Sequence, residues 1–194
     1  HLPLWLSPFH PALVAYFIIA FNLYFLYNCI QTVYYSTLSY NLLSVAEATD
    51  FKELVNKKEK PHTIKHFVII PNYKESLQKL EKTIDRIVQN QYPHQDIILV
   101  LAFEKRETDA QNKARHLQSK YESYFHTILE SYHVLEDHEE AGKASNQTAA
   151  ARQISEYVRA NRIDPKQTIL TICDADSILP KNYFYYVTYA FIQD

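Results

Sequence analysis

The sequence predicts an α/β domain over residues 62–194, three layers deep around a mainly parallel sheet. Two observations carry this expectation. Short β-branched, apolar runs recur along this part of the chain, and each is followed by a stretch with helical periodicity. A third observation concerns what precedes the domain: no Asp, Glu, Lys or Arg occurs before Glu47, and residues 13–35 read LVAYFIIAFNLYFLYNCIQTVYY. That run is long enough to cross a hydrocarbon layer of about 30 Å.

Taken in order, residues 1–40 are expected to form a transmembrane helix and its flank. Asn22, Asn28 and Gln31 are tolerable inside such a helix, and the tyrosines at its ends suit the membrane interface. The run is too long for a signal-peptide core and lacks a basic leader, which argues against cleavage. Lys52, Lys57, Lys58 and Lys60 follow it and nothing basic precedes it, so everything downstream is expected in the cytoplasm, at the cell membrane. Residues 41–61 read as a juxtamembrane linker. Leu42, Val45, Ala46, Phe51, Leu54 and Val55 could form the apolar face of one amphipathic helix lying on the membrane over 42–58, and a solvated helical linker fits equally well.

From His66 the pattern changes. HFVIIP reads as a buried strand, and SLQKLEKTIDRIVQNQ as a helix capped by Ser76 with Leu77, Leu80, Ile84, Ile87 and Val88 on one face. DIILVLAF is a second strand, residues 108–125 a helix, TILESYHV a third strand, and 143–160 a helix carrying Ala149, Ala150, Ile154, Tyr157 and Val158. After Asp164-Pro165, TILTIC makes a fourth strand, and Pro180 is expected to start a further helix. Strands separated by helices of this length imply right-handed crossovers and parallel pairing. The chain opens on His1 and stops at Asp194 within the alternation, which predicts a piece of a longer protein, truncated at the C-terminus.

Composition removes several function classes. A net charge of −2 gives no bulk attraction for nucleic acid. Cys29 and Cys173 show neither metal-ligand spacing nor a disulfide pattern, which fits a reducing compartment. Gly142 is the only glycine, which rules out a Gly-rich dinucleotide turn and a Walker loop.

Open parallel sheets bind ligands at the carboxyl ends of their strands, and those positions are acidic here: Pro71-Asn72-Tyr73-Lys74-Glu75, Glu104-Lys105-Arg106-Glu107 and Asp174-Ala175-Asp176. An Asp-x-Asp at a strand end offers two hard oxygen ligands to Mg²⁺ or Mn²⁺, which would complete its shell with water and substrate phosphates. The same pair could equally serve as a turn or helix cap. Lys143, after Gly142 and at a helix start, is a candidate for phosphate, with the glycine expected to free the backbone; a solvated lysine is the plainer alternative. Tyr73 could stack on a base and Glu75 accept hydrogen bonds from base or ribose. His133 and His138, among Glu136, Asp137, Glu139 and Glu140, read as a solvated acidic loop, and Tyr183-Phe184-Tyr185-Tyr186 as packing.

Val68-Ile69-Ile70-Pro71-Asn72-Tyr73-Lys74-Glu75, Gly142-Lys143-Ala144-Ser145-Asn146 and Ile172-Cys173-Asp174-Ala175-Asp176 together resemble the inverting family 2 glycosyltransferases of GT-A fold, which include cellulose, chitin and hyaluronan synthases. The resemblance covers about residues 65–194. It implies a membrane-anchored hexosyltransferase that takes sugar from a nucleotide-diphosphate donor, a UDP-sugar above all, and passes it with inversion to a saccharide or lipid acceptor, with polysaccharide synthesis as one setting. It places Pro71, Tyr73, Glu75, Glu104, Lys143 and Asp174 at the nucleotide-sugar, and Asp174 and Asp176 at the metal and diphosphate. Many relatives have Asn in place of Lys74, and Asp-Asp before a small residue in place of Phe103-Glu104-Lys105, which makes Glu107 a rival of Glu104 for the base. The family's catalytic base and acceptor motif are expected beyond Asp194, so no catalytic base is assigned within the chain. A metal-dependent nucleotidyltransferase and a non-catalytic membrane-tethered binding domain are the alternative readings.

Overall fold

The computed structural model describes residues 2–58, 64–135, 139 and 142–193, with the side chains of Leu2 and Lys143 outside that description. The chain divides into two compact units, one ending at Thr49 and one beginning at Asp50.

The first unit contains a short helix, α1 (Leu2–Leu6), and a long one, α2 (Pro11–Ala48). Proline opens α2, where its missing N–H costs nothing. Val14 is its single buried residue among those described, and α2 is long and apolar enough to cross a membrane. The polar side chains within the apolar run satisfy their donors on their own helix: Asn22 Nδ2 donates to the Ile18 carbonyl at 2.8 Å, Asn28 Nδ2 to that of Tyr24 at 2.9 Å, and Thr32 Oγ1 to that of Asn28 at 2.8 Å. Such bonding is what an apolar solvent demands of a polar group.

The single helix envisaged over 42–58 is two helices. Thr49 is extended, with ψ 130°, and the Asp50 carboxylate accepts from the Glu53 N–H at 3.0 Å, capping α3 (Phe51–Asn56). Phe51 and Val55 turn inward, and the Phe51 ring lies 5.1 Å from that of Tyr186. Residues 50–58 are thus part of the second unit.

That unit holds the expected α/β architecture. The strands β1 (Lys65–Asn72), β2 (Ile97–Glu104), β3 (Thr127–His133) and β4 (Thr168–Ile172) form one sheet in the order β3-β2-β1-β4, every neighbour parallel. The helices between them are α4 (Leu77–Val88), α5 (Ala110–Tyr121) and α6 (Lys143–Ala160), with α7 (Tyr183–Phe191) last. β1 and β2 are central and buried almost throughout, which is why they read as continuous apolar runs.

One face of the sheet presents Phe67, Ile69, Ile98, Val100 and Ala102 to Ala150, Ile154 and Val158 of α6. On the other face His66, fully buried, bonds through Nε2 to the Thr188 hydroxyl of α7 at 2.8 Å and packs against Tyr92 and Phe184. With no charged partner nearby, burial drives its imidazole down to about pKa 3, so it is neutral in the folded protein. Phe184 and Tyr185 are buried, so the aromatic run of α7 is packing, as expected. α7 starts at Tyr183, three residues beyond Pro180, because the Pro180 carbonyl is already engaged by Asn90 Nδ2 at 2.9 Å and by the Tyr183 N–H at 3.1 Å.

Candidate functional site

β1 delivers its last residues into a turn that the sequence stabilises locally. Asn72 Oδ1 accepts from the Glu75 N–H at 3.2 Å, and the Ser76 hydroxyl caps α4 by accepting from the Lys79 N–H at 3.4 Å. Between them Lys74 adopts a left-handed conformation, φ 59°, which a residue with a Cβ adopts reluctantly. The turn leaves the Tyr73 ring accessible, with the Arg106 guanidinium 4.3 Å and the Lys74 ammonium 5.1 Å from its centre. The Glu75 carboxylate, half-buried, pairs with Lys79 at 3.0 Å.

The end of β2 separates two carboxylates that lie three residues apart. Glu104 is buried to 4% exposure on the cavity wall and takes a charged hydrogen bond from Arg106 Nε. Glu107 lies beneath the β1–α4 turn, where it accepts from Lys113 Nζ at 2.5 Å, the Lys74 N–H at 3.1 Å and Asn72 Nδ2 at 3.3 Å. Glu107, the rival of Glu104 in the sequence, does not line the cavity.

β4 is followed by Cys173, whose N–H reaches the Ile69 carbonyl at 2.9 Å. Strand-like alternation then buries Ala175 and leaves Asp174 and Asp176 exposed on either side of it. The Ala175 carbonyl is anchored by Thr83 Oγ1 of α4 at 2.8 Å. Burial pushes the Cys173 thiol up from its ordinary value, which makes it a poor nucleophile. Lys79 is raised first by its bond to Glu75 and further by the Asp176 charge, so this lysine senses both walls.

At the start of α6, Asn146 is 2% exposed and joins three elements: its Nδ2 donates to the Ala102 carbonyl at 2.9 Å and the Asn72 carbonyl at 3.4 Å. Its Oδ1 is buried without a hydrogen-bond partner. The N-cap of this helix is Gly142, and among the described residues it has no side-chain cap bond. The freedom expected of Gly142 is not used: its φ of 175° is ordinary extended backbone, and an added Cβ would meet nothing within 4 Å. The side chain of Lys143 lies outside the described residues.

These elements enclose one open cavity of about 400 Å³ at the carboxyl ends of β1, β2 and β4. Pro71, Tyr73, Glu75, Glu104, Asp174 and Asp176, six of the residues singled out from sequence, all line it. Three further polar side chains on its wall were not singled out: Asn72, Arg106 and Asn146. Each lay within a motif already quoted, and only their neighbours stood out by charge or type. Among the described residues no cluster of three or more His, Cys, Asp or Glu is arranged around a point. Two exposed carboxylates on one wall still fit a hard cation that takes its remaining oxygens from a diphosphate and water. His133 bonds to Glu139 at 2.8 Å, while His138, Glu136, Asp137 and Glu140 lie outside the described residues.

Two solved structures resemble the fold at low similarity. One is the mannosyltransferase PcManGT from Pyrobaculum calidifontis in complex with GDP-Man and Mn²⁺, with 21% identity and a TM-score of 0.44 over 73% of this chain and 38% of that one. The other is TarS 1-349 from S. aureus in complex with UDP-GlcNAc, with 16% identity and a TM-score of 0.41 over 67% of this chain and 31% of that one. The chain thus covers about a third of the length of either protein. No curated protein sequence matches it significantly. The pattern of the family described as glycosyltransferase like family 2 matches residues 65–194, which is the whole sheet with its crossover helices and all the cavity residues named above, and on that ground the chain belongs to this family.

Proposed function

We propose that this chain is the donor-binding part of a membrane-anchored glycosyltransferase, which transfers a hexosyl group from a nucleotide-diphosphate sugar, a UDP-sugar in the first instance, to a saccharide or lipid acceptor with inversion. The observation that supports it most is the convergence of six residues from three strand ends on one cavity of about 400 Å³, within a chain of this family. Tyr73 offers a stacking face and Glu104 an acceptor for base N–H groups. Glu75 would accept hydrogen bonds from base or ribose. The amino end of α6 would offer its N–H groups to the diphosphate, with Lys143 at its first position.

Asp174 and Asp176 would hold Mg²⁺ or Mn²⁺, which when bound neutralises the charge that develops on the departing diphosphate. The proton of the acceptor hydroxyl needs a base, and we assign none within the chain. α2 is the proposed anchor, and the lysines that follow it favour a cytoplasmic site.

Titration of the full chain with UDP in the presence and absence of Mn²⁺ tests the reading. Wild type should bind UDP in a Mn²⁺-dependent manner, and Asp176→Ala should lose that dependence. Equal binding by both proteins overturns the assignment. Diphosphate release from a free nucleoside triphosphate would mark a nucleotidyltransferase instead.

A further inference from the structure

We propose that the buried Glu107–Lys113 ion pair is the positioning device for the nucleoside side of the cavity, fixing the Tyr73–Glu75 turn from beneath without touching ligand. This inference rests on the functional reading above and adds two residues to it.

Beyond its own Asn72–Glu75 hydrogen bond, the turn is held from outside. Lys74 sits at φ 59°, a region that costs a residue with a Cβ about 1 kcal/mol or more, and such conformations persist where their surroundings over-determine them. The surroundings here are one carboxylate and one ammonium. Glu107 Oε2 accepts from the Lys74 N–H at 3.1 Å and from Asn72 Nδ2 at 3.3 Å, while its Oε1 accepts from Lys113 Nζ at 2.5 Å. Lys113 Nζ donates a second time, to the Glu75 carbonyl at 2.6 Å. The pair therefore grips the residue before Tyr73 and the two after it.

Both charged side chains are nearly dry, Lys113 at 11% and Glu107 at 4% exposure, so the bonds are little weakened by solvent. Lys113 belongs to α5 and Glu107 to the segment after β2, which ties the turn after β1 to the neighbouring crossover. Neither residue lines the cavity, whereas Tyr73 and Glu75 both do.

The test uses the full chain and three variants: Glu107→Gln/Lys113→Met, which removes both charges together, the same pair with Lys74→Gly added, and Lys113→Arg. Amide hydrogen exchange of residues 73–76 is read without ligand, UDP affinity is read with Mn²⁺, and both are measured well below the melting transition. The double variant should exchange faster in the turn and bind UDP about tenfold more weakly, the effect of losing one well-placed interaction. Adding Lys74→Gly should recover part of both losses, because glycine enters the left-handed region freely. Lys113→Arg should remain close to wild type.

A double variant that merely melts earlier, with turn exchange and UDP affinity unchanged, overturns the proposal. So does an absence of any Lys74→Gly rescue. If wild type itself fails to bind UDP, the functional reading fails, and the exchange data with the glycine rescue decide the clamp alone.

Discussion

Toward β1 and β2 two carboxylates are buried in ion pairs, Glu104 on the cavity wall with Arg106 and Glu107 beneath the neighbouring turn with Lys113, whereas toward β4 Asp174 and Asp176 are exposed residues on either flank of buried Ala175. The contrast separates two ways of building half a site. Folding has already desolvated and oriented Glu104 and Glu107, so this part of the shape precedes any ligand. The second half is exposed, as a surface proposed for a cation and diphosphate requires, since these bring charge and water of their own.

The comparison predicts opposite responses to mutation. The largest effect is expected on the closed side: Lys113→Ala leaves Glu107 buried without its cation and should destabilise the fold by about 3–5 kcal/mol in chemical denaturation. A loss of a few tenths would show that this side is wetter than its geometry implies.

Acid should find the next weakest point, at the far end of β1 from the cavity. His66 is neutral when folded, held down to about pKa 3, and protonates near its ordinary value of 6.5 when unfolded. A lowered folded value means that stability is complete above about 6.5 and falls as pH drops toward 3, by on the order of 1 kcal/mol per pH unit. Denaturation of wild type and His66→Leu between these limits isolates the effect, because the variant should lose this component of the slope while the carboxylates titrate alike in both.

A smaller change probes the boundary between the two sides. Arg106 stacks on Tyr73 and occupies an acceptor of Glu104, the two contacts proposed for a nucleobase, so it must move when a base arrives. Arg106→Ala should therefore tighten UDP binding a few-fold, measured calorimetrically. A weakening would mean that the guanidinium stays and takes part in holding the ligand. The smallest effect is expected on the open side, where Asp176→Ala should alter folding stability by no more than about 0.5 kcal/mol, as exposed sites do, while abolishing the Mn²⁺ dependence of UDP binding.

Much of the fold was legible in the sequence because each element announces itself locally. β1 and β2 are buried on both faces and so carry unbroken apolar runs, and α6 begins at Lys143 and ends at Ala160, the bounds its periodicity implies. Punctuation was less secure. Asp50 divides a stretch that reads as one helix by capping α3 through the Glu53 N–H three residues on, and Pro180 marks the start of a connector instead of a helix, its carbonyl bonded to Asn90, 90 residues away.

Sequence alone determined that acidic groups gather at one rim, since the alternation of strand and helix forces every strand end to the same edge of a parallel sheet. Tertiary structure alone decided the fate of each group there. Glu104 and Glu107 are chemically alike and three residues apart, yet one faces the cavity and the other lies under the turn, because the partners that distinguish them, Arg106 and Lys113, stand in a loop and on a helix whose docking no local pattern specifies. Asn146 makes the same point. Its amide joins the carbonyls of Ala102 and Asn72, 44 and 74 residues away in sequence, and such a junction exists only once three elements have met.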